Sequence, residues 1–285
     1  MLRTHRKEAT IMRDSLFDVS GKVVAITGGA GVLCGEMARS LAARGAKVAV
    51  LDIMEDAAGK LCEQIAAAGG TAEPFHCNVL QKESVARAAL DCTKRFGRPD
   101  VLINGAGGNR KQATCVPPES TFFDVDADAI RWVFELNCLG TILPCQAFGR
   151  AMAEAESGAI INVSSMNAYR PLTRIAAYSA AKAAVSNFTQ WLAVYMAQNH
   201  SPNIRVNAVA PGFFLTEQNR FLLTDGKTGE LTTRGRQIIT HTPMGRFGEP
   251  GDLIGTLVWL ISDAAKFVTG VVVPVDGGFS AYSGV

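Results

Sequence analysis

Seven short runs rich in Val, Ile and Ala recur along the chain, at 22–27, 47–52, 72–77, 101–104, 159–164, 204–209 and 271–275, and several are apolar from end to end. A strand with one wet face alternates apolar and polar residues, whereas an unbroken apolar run implies burial on both faces. Parallel sheets covered by helices on each side meet that condition, and each parallel step needs a crossover of a dozen or more residues. The stretches between the runs supply the crossovers, with helices expected over 36–44, 57–68, 83–96, 127–153, 177–198 and 252–261. The fold class that follows is α/β, a doubly wound parallel sheet of seven strands with helices on both faces.

Two connections break the rhythm. One lies between Asn104 and Ala127 and contains GAGGNRKQATCVPPES; the other lies between Pro211 and Pro250 and is rich in Gln, Asn, Thr, Arg and Gly. Long loops are uncommon inside α/β domains and tend to be lids or binding loops. Both follow strand ends on the side where open sheets hold ligands, so a substrate lid is expected at about 213–248.

Composition narrows the function classes. With 285 residues and 48% hydrophobic content the chain can bury a full core, and a single domain is expected over 16–285. Twenty-eight basic residues against 26 acidic ones create no field that favours nucleic acid or an anionic membrane, so neither is expected as a partner. No run reaches the roughly 18 apolar residues of a membrane span. Seven cysteines, odd in number and without a C-x-x-C pair, imply free thiols in a reducing, cytoplasmic setting. Four histidines with no H-E-x-x-H or Cys/His cluster leave no expectation of a metal. Residues 1–15 are polar and partly basic, but Glu8 interrupts them and no apolar segment follows, so a flexible arm is expected there rather than a targeting peptide.

The run VVAITGGAGVLCGEMARSLAARGAKVAVLD carries the first chemical signal: a strand, a Gly-rich turn, a helix, and a second strand ending in Asp52. Glycines let backbone N–H groups at a helix start approach a pyrophosphate. A carboxylate at the end of the next strand accepts hydrogen bonds from both adenosine ribose hydroxyls and repels a 2′-phosphate. No Arg or Lys follows in Asp52-Ile53-Met54-Glu55, so NAD is expected rather than NADP.

The second signal is AAYSAAKAAVSNF, which sets Tyr178 and Lys182 one helical turn apart on one face. A phenol is a poor base near neutral pH until a nearby cation favours its anion, and Lys182 is the expected cation. Ser165 ends the run AIINVSS and offers a hydroxyl at the C-terminal end of a strand.

With these pieces the chain, from about Leu16 onward, resembles the short-chain dehydrogenases/reductases of the single-domain type. The matching motifs are T-G-G at Thr27–Gly29, Asp52, Asn78-Val79, N-x-A-G at Asn104–Gly107, Asn137, Ser165, Y-x-x-x-K at Tyr178–Lys182 and P-G-x-x-x-T at Pro211–Thr216. The resemblance implies a Rossmann-like domain in which Tyr178 is the general acid/base, Ser165 holds the reacting oxygen, Lys182 holds the nicotinamide ribose and Asn137 seats a water. It implies cofactor contacts from Gly28, Gly31, Val32 and Leu33 in the turn and from Asp52, Ile53, Asn78 and Val79 at the adenosine. Asn104, Ala106 and Gly107 would line the middle of the cofactor, and Pro211, Gly212, Phe214 and Thr216 would cover its nicotinamide. The family's usual second and third turn glycines fall on Val32 and Cys34, and Gly105 replaces a customary Asn. The Ala-rich face at 176–184 corresponds to a subunit contact in the family, which implies a homotetramer.

The substrate must be read from the loops. The lid carries Arg220, Arg234, Arg236 and Arg246 with Gln218, Asn219 and His241, and Asn109 and Arg170 lie in neighbouring loops. Guanidinium groups grip carboxylates and amides suit hydroxyls, so an acidic polyol is the expected ligand, with Asn109, Arg170, Arg220 and Arg246 as its candidate contacts. The lid, Gly107–Asn109 and the ending VDGGFSAYSGV resemble the sugar-acid branch of the family, in particular the D-mannonate oxidoreductases, which interconvert D-mannonate and D-fructuronate at C5. Gluconate 5-dehydrogenase or 3-oxoacyl-carrier-protein reductase chemistry is the alternative within the family. A non-catalytic dinucleotide sensor or scaffold is the alternative outside it, and would be expected to lack Tyr178 or Lys182, both of which are present.

Overall fold

A computed structural model describes residues 15–216, 220–226 and 228–284. The expected N-terminal arm, apart from Ser15, and the lid residues Gln218 and Asn219 lie outside the described residues.

The apolar runs form strands whose burial matches their composition. All residues are buried in β1 (Val23–Thr27), β4 (Val101–Asn104) and β6 (Ile204–Pro211), while the edge strand β3 (Thr71–His76) and the last strand β7 (Val272–Val275) are only partly covered. With β2 (Lys47–Asp52) and β5 (Gly158–Val163) they build one seven-stranded sheet in the order β3-β2-β1-β4-β5-β6-β7. Every pairing is parallel. Helices α1 (Val32–Ala42), α2 (Glu55–Ala67) and α3 (Lys82–Phe96) make the first crossovers. They are followed by α4 (Ala127–Phe134), α5 (Gly140–Glu154) and α6 (Ala176–Asn199). The region expected as a lid contributes α7 (Arg220–Leu223) and α8 (Thr233–His241), and α9 (Ile254–Ile261) closes the set.

Alternation within each strand sends side chains to both faces. Val24, Ile26, Val48 and Val50 meet Met37, Leu41, Leu61 and Leu257 on one side, and Ala25, Leu51, Leu102 and Ile160 meet Phe148, Met152 and Leu192 on the other. The chain is thus a single Rossmann-like domain with two apolar layers and one sheet between them.

Two helix expectations are corrected. The helix expected from Glu36 starts at Val32, inside the Gly-rich turn, because Gly31 in extended conformation already serves as its N-cap. The helix expected over 127–153 is interrupted by a π-helical turn, Glu135–Leu139, between α4 and α5. Side chains stabilise the widened turn: the Asn137 amide donates to Val133 O at 2.8 Å and the Thr141 hydroxyl donates to Asn137 O at 2.8 Å. π-turns of this kind concentrate at functional sites.

All seven cysteines are free thiols, and burial pushes Cys34, Cys77, Cys92 and Cys145 up to about 12. Among the described residues no helix is long and apolar enough to cross a membrane, and no three metal-ligating side chains cluster.

Candidate active site

Strand order reverses between β1 and β4, and a crevice opens there at the C-terminal ends of the strands. The crevice is an 890 Å³ cleft whose walls include Gly28, Gly31, Val32, Leu33, Asp52, Ile53, Asn78, Val79, Ala106 and Gly107 on the β1 side, and Gly212, Phe214 and Thr216 beyond β6. Tyr178 and Lys182 face the same cleft.

The wall residues are suited to a dinucleotide. Gly28 has φ +61°, and a Cβ there would stand 2.8 Å from Ala106 Cα, so only glycine lets the turn and the β4 loop approach so closely. The start of α1 has no side-chain cap, which leaves N–H groups for an anionic ligand. Asp52 is 9% exposed and braces the turn: its Oδ2 accepts from Ala30 N at 3.0 Å and its Oδ1 from Met54 N at 2.9 Å. Asn78 Oδ1 accepts from Leu80 N at 3.0 Å, which shapes the loop beside the far end of the cleft.

Asn104 and Pro211, both expected to touch the cofactor, stand behind the wall rather than on it. Asn104 Nδ2 donates to Asn162 Oδ1 at 2.9 Å and to Cys145 Sγ at 3.1 Å, a buried tie between β4 and β5. Pro211 is buried as the last residue of β6. Their motifs mark the site because they position their neighbours.

The two departures from the family pattern belong together. A Cβ on Gly105 would lie 2.0 Å from Cys34 Sγ. The thiol of Cys34 therefore occupies the volume that a side chain at 105 would need. The turn glycine has in effect moved from α1 to the facing loop.

At the catalytic end, Ser165 lies beside the Tyr178 phenol and favours its anion. Ser165 Oγ also accepts from Asn167 N at 3.2 Å and from Asn167 Nδ2 at 3.3 Å, while Asn167 Oδ1 accepts from Leu172 N at 3.1 Å. Asn167 thus positions Ser165, a role that no sequence motif announced. Lys182 is 3% exposed and donates to Val163 O at 2.7 Å; burial pulls its ammonium down to about 8. Its Nζ stands 5.6 Å from the centre of the Tyr178 ring. The expectation that Lys182 lowers the phenol is not met: burial raises Tyr178 above its ordinary value and outweighs the opposing influence of Ser165. Asn137 is fully buried in the π-turn, its Nδ2 donating to Gly108 O at 2.7 Å and its Oδ1 accepting from Gly108 N at 3.1 Å. A Cβ on Gly107 would meet both Asn137 Oδ1 at 2.7 Å and Lys182 Nζ at 3.1 Å, so Asn137, Gly107 and Lys182 form one close cluster.

The expected substrate contacts scatter. Asn109 is exposed and its Nδ2 donates to Thr114 Oγ1 at 2.9 Å. Arg220 opens the short helix α7 on the surface. Arg246 is engaged elsewhere, donating to both Asp252 oxygens at 2.7 and 2.9 Å beside a separate 210 Å³ pocket. Only Arg170 of the four borders the larger chamber of 530 Å³, which it shares with Arg234, Gln237 and His241 of α8 and with Tyr282 of the C-terminal tail. Phe213 lines that chamber and also the cofactor-sized cleft.

Comparison with known proteins agrees with this geometry. A family model described as enoyl-(acyl carrier protein) reductase matches residues 31–280. An oxidoreductase of Bacillus subtilis named UxuB, itself uncharacterized, is 49% identical across 94% of this chain and 98% of its own. The 5-keto-D-gluconate 5-reductase of Escherichia coli is 35% identical across 93% and 98%. A crystal structure of a Haemophilus influenzae protein provisionally assigned as a D-mannonate oxidoreductase, with bound NAD, superposes with a TM-score of 0.88 at 48% identity, covering 94% of this chain and 98% of that one.

Proposed function

Since the chain belongs to the short-chain dehydrogenase/reductase family, we propose that it is an NAD(H)-dependent oxidoreductase of a sugar acid, interconverting D-mannonate and D-fructuronate at C5. One observation carries this reading: Tyr178 and Lys182 open on the same cleft as the Asp52 carboxylate, and a chamber bordered by arginines adjoins that cleft at Phe213.

In ketone reduction the Tyr178 phenol gives its proton to the carbonyl oxygen, and in alcohol oxidation its phenolate takes it back. A raised phenol suits the acid role, since Tyr178 holds its proton throughout the neutral range. Ser165, held by Asn167, aims a hydroxyl at the same oxygen. Lys182, anchored on Val163 O, brings positive charge to the base of the site, and Asn137 keeps the adjoining Gly107–Gly108 turn in place for a water between them. NAD(H), when bound, exchanges the hydride. Asp52 and the Gly-rich turn would hold its adenosine and pyrophosphate, and the carboxylate would select against a 2′-phosphate.

The enzyme is further proposed to be a cytoplasmic homotetramer. Support comes from α6, where Phe188, Trp191 and Tyr195 form a stacked ladder with Trp191 57% exposed.

NADH oxidation followed with fructuronate, 5-keto-D-gluconate and neutral ketoses tests the reading. Fructuronate is expected to give the highest kcat/KM, with NADH preferred over NADPH. Turnover of another carbonyl compound with none on fructuronate would sink it. Tyr178→Phe is expected to lower kcat by about 10³-fold while leaving NADH binding intact.

A further inference from the structure

We infer that Arg234, together with Arg170, holds the substrate carboxylate in the chamber beyond Phe213, and that the pair selects acids whose carboxylate stands several carbons from the reacting carbonyl. The inference rests on the sugar-acid reading and adds which residues and which spacing enforce it.

The chamber is one-sided in charge. Among the described residues its lining holds two arginines and a histidine and no carboxylate. Arg170 reaches it from the loop after Ser165, fixed by a bond from its Nε to Ser280 O at 3.1 Å, which leaves its terminal nitrogens available. Arg234 comes from the first turn of α8 and is half-buried. No acid neutralises it among the described residues; desolvation and, after it, the charge of a second cation, Arg174, depress its guanidinium. A partly desolvated cation beside another cation, with nothing opposing it, costs stability. Arg246 shows the contrast, because the same side chain in the same lid is neutralised by Asp252. Among the described residues nothing balances the charge at Arg234, an anion entering the chamber would do so, and a planar carboxylate fits a guanidinium fork in two-point fashion.

The remaining walls fit a hydroxylated chain. Phe279 meets Phe213 edge-on at 5.3 Å and His241 at 5.3 Å, and His241 meets Tyr282 at 5.2 Å, so one side is a continuous aromatic surface. Gln237 adds an amide able to donate and accept.

Spacing follows from connectivity. Phe213 separates the chamber from the cleft that holds Tyr178, so a carboxylate on Arg234 belongs to a substrate that extends past that ring. In a 5-keto hexonate the reacting carbon and the carboxylate carbon are four bonds apart, about 5 Å when extended. In an α-keto acid they are adjacent, and the carboxylate would stay on the Tyr178 side of Phe213. D-mannonate and D-gluconate differ only at C2, next to the carboxylate. The groups that tell them apart are therefore those of this chamber, Gln237 and His241 first.

The test compares wild type, Arg234→Gln and Arg246→Gln, each saturated with NADH, on fructuronate, 5-keto-D-gluconate, an α-keto acid and D-fructose, the neutral counterpart of fructuronate. Loss of one charge-assisted bidentate contact is expected to raise KM for the two 5-keto acids about 30-fold in Arg234→Gln. kcat, KM for NADH and the weak turnover of D-fructose should stay within about twofold, and Arg246→Gln should leave all of these unchanged. Equal losses on acid and neutral substrates, or an α-keto acid as the best wild-type substrate, would overturn the inference. If the wild type reduces no sugar acid, D-gluconate binding to its NADH complex is measured by calorimetry. Binding that Arg234→Gln abolishes keeps the carboxylate site while the proposed substrate falls; no binding, or binding that survives the substitution, ends both.

Discussion

Lys182 is kept in a position that costs stability. Its ammonium is almost fully buried, and its pKa falls from 10.5 to about 8. Below about 8 the lysine is charged in both folded and unfolded chains, and only the folded one bears the desolvation, a penalty of about 3 kcal/mol. Between about 8 and 10.5 the unfolded chain binds more protons, so the penalty is relieved as pH rises. Lys182→Met is therefore expected to abolish activity yet raise stability at pH 7 by about 1–2 kcal/mol, the remainder being lost with the bond to Val163 O. Denaturant unfolding at pH 7 and at pH 10 checks the sign, since the gain should shrink at the higher pH. The Asp52 carboxylate accepts from two backbone N–H groups and, in the proposed function, would also set cofactor choice. Asp52→Asn should shift the ratio of kcat/KM for NADPH over NADH upward by about 100-fold, roughly the removal of one close charge repulsion. An unchanged ratio would show that cofactor choice lies elsewhere.

At the level of elements, Cys34 at the start of α1 and Gly105 after β4 behave as one unit. Gly105→Asn alone should destabilise the fold by about 3 kcal/mol through overpacking on the thiol. Adding Cys34→Gly should recover most of that, and thermal unfolding of the four-member cycle measures the coupling. Much of this architecture was legible in advance, because apolar strands and Ala-rich crossovers leave few alternatives to a covered parallel sheet. Tyr178, Lys182, Ser165 and Asp52 are legible as candidates for a related reason: their spacings place them at strand ends or on a helix face whatever the rest of the chain does. The π-turn was not legible, since 127–153 has a continuous helical pattern and the interruption depends on contacts of Asn137 with a loop 29 residues away. The choice among lid arginines was hidden for the same cause. Arg234 and Arg246 are alike in sequence, and only the fold sets Asp252 beside one and Arg174 near the other.

At the scale of the whole molecule, the exposed ladder on α6 makes assembly testable. Trp191→Glu should convert a tetrameric mass in sedimentation into smaller species, while a wild type that sediments as a monomer would dismiss the tetramer. The course of β6 has a kinetic consequence. The strand ends at Pro211, and the segment that follows, where the lid expected over 213–248 begins, runs along the cofactor-sized cleft from Gly212 to Thr216. The first residues of the lid thus answer to one ligand and the rest to another. Such a chain should capture its two reactants in sequence, dinucleotide first, and release them in reverse. Product inhibition patterns of a compulsory order are expected, and sugar acid added without dinucleotide should leave the melting temperature where it was.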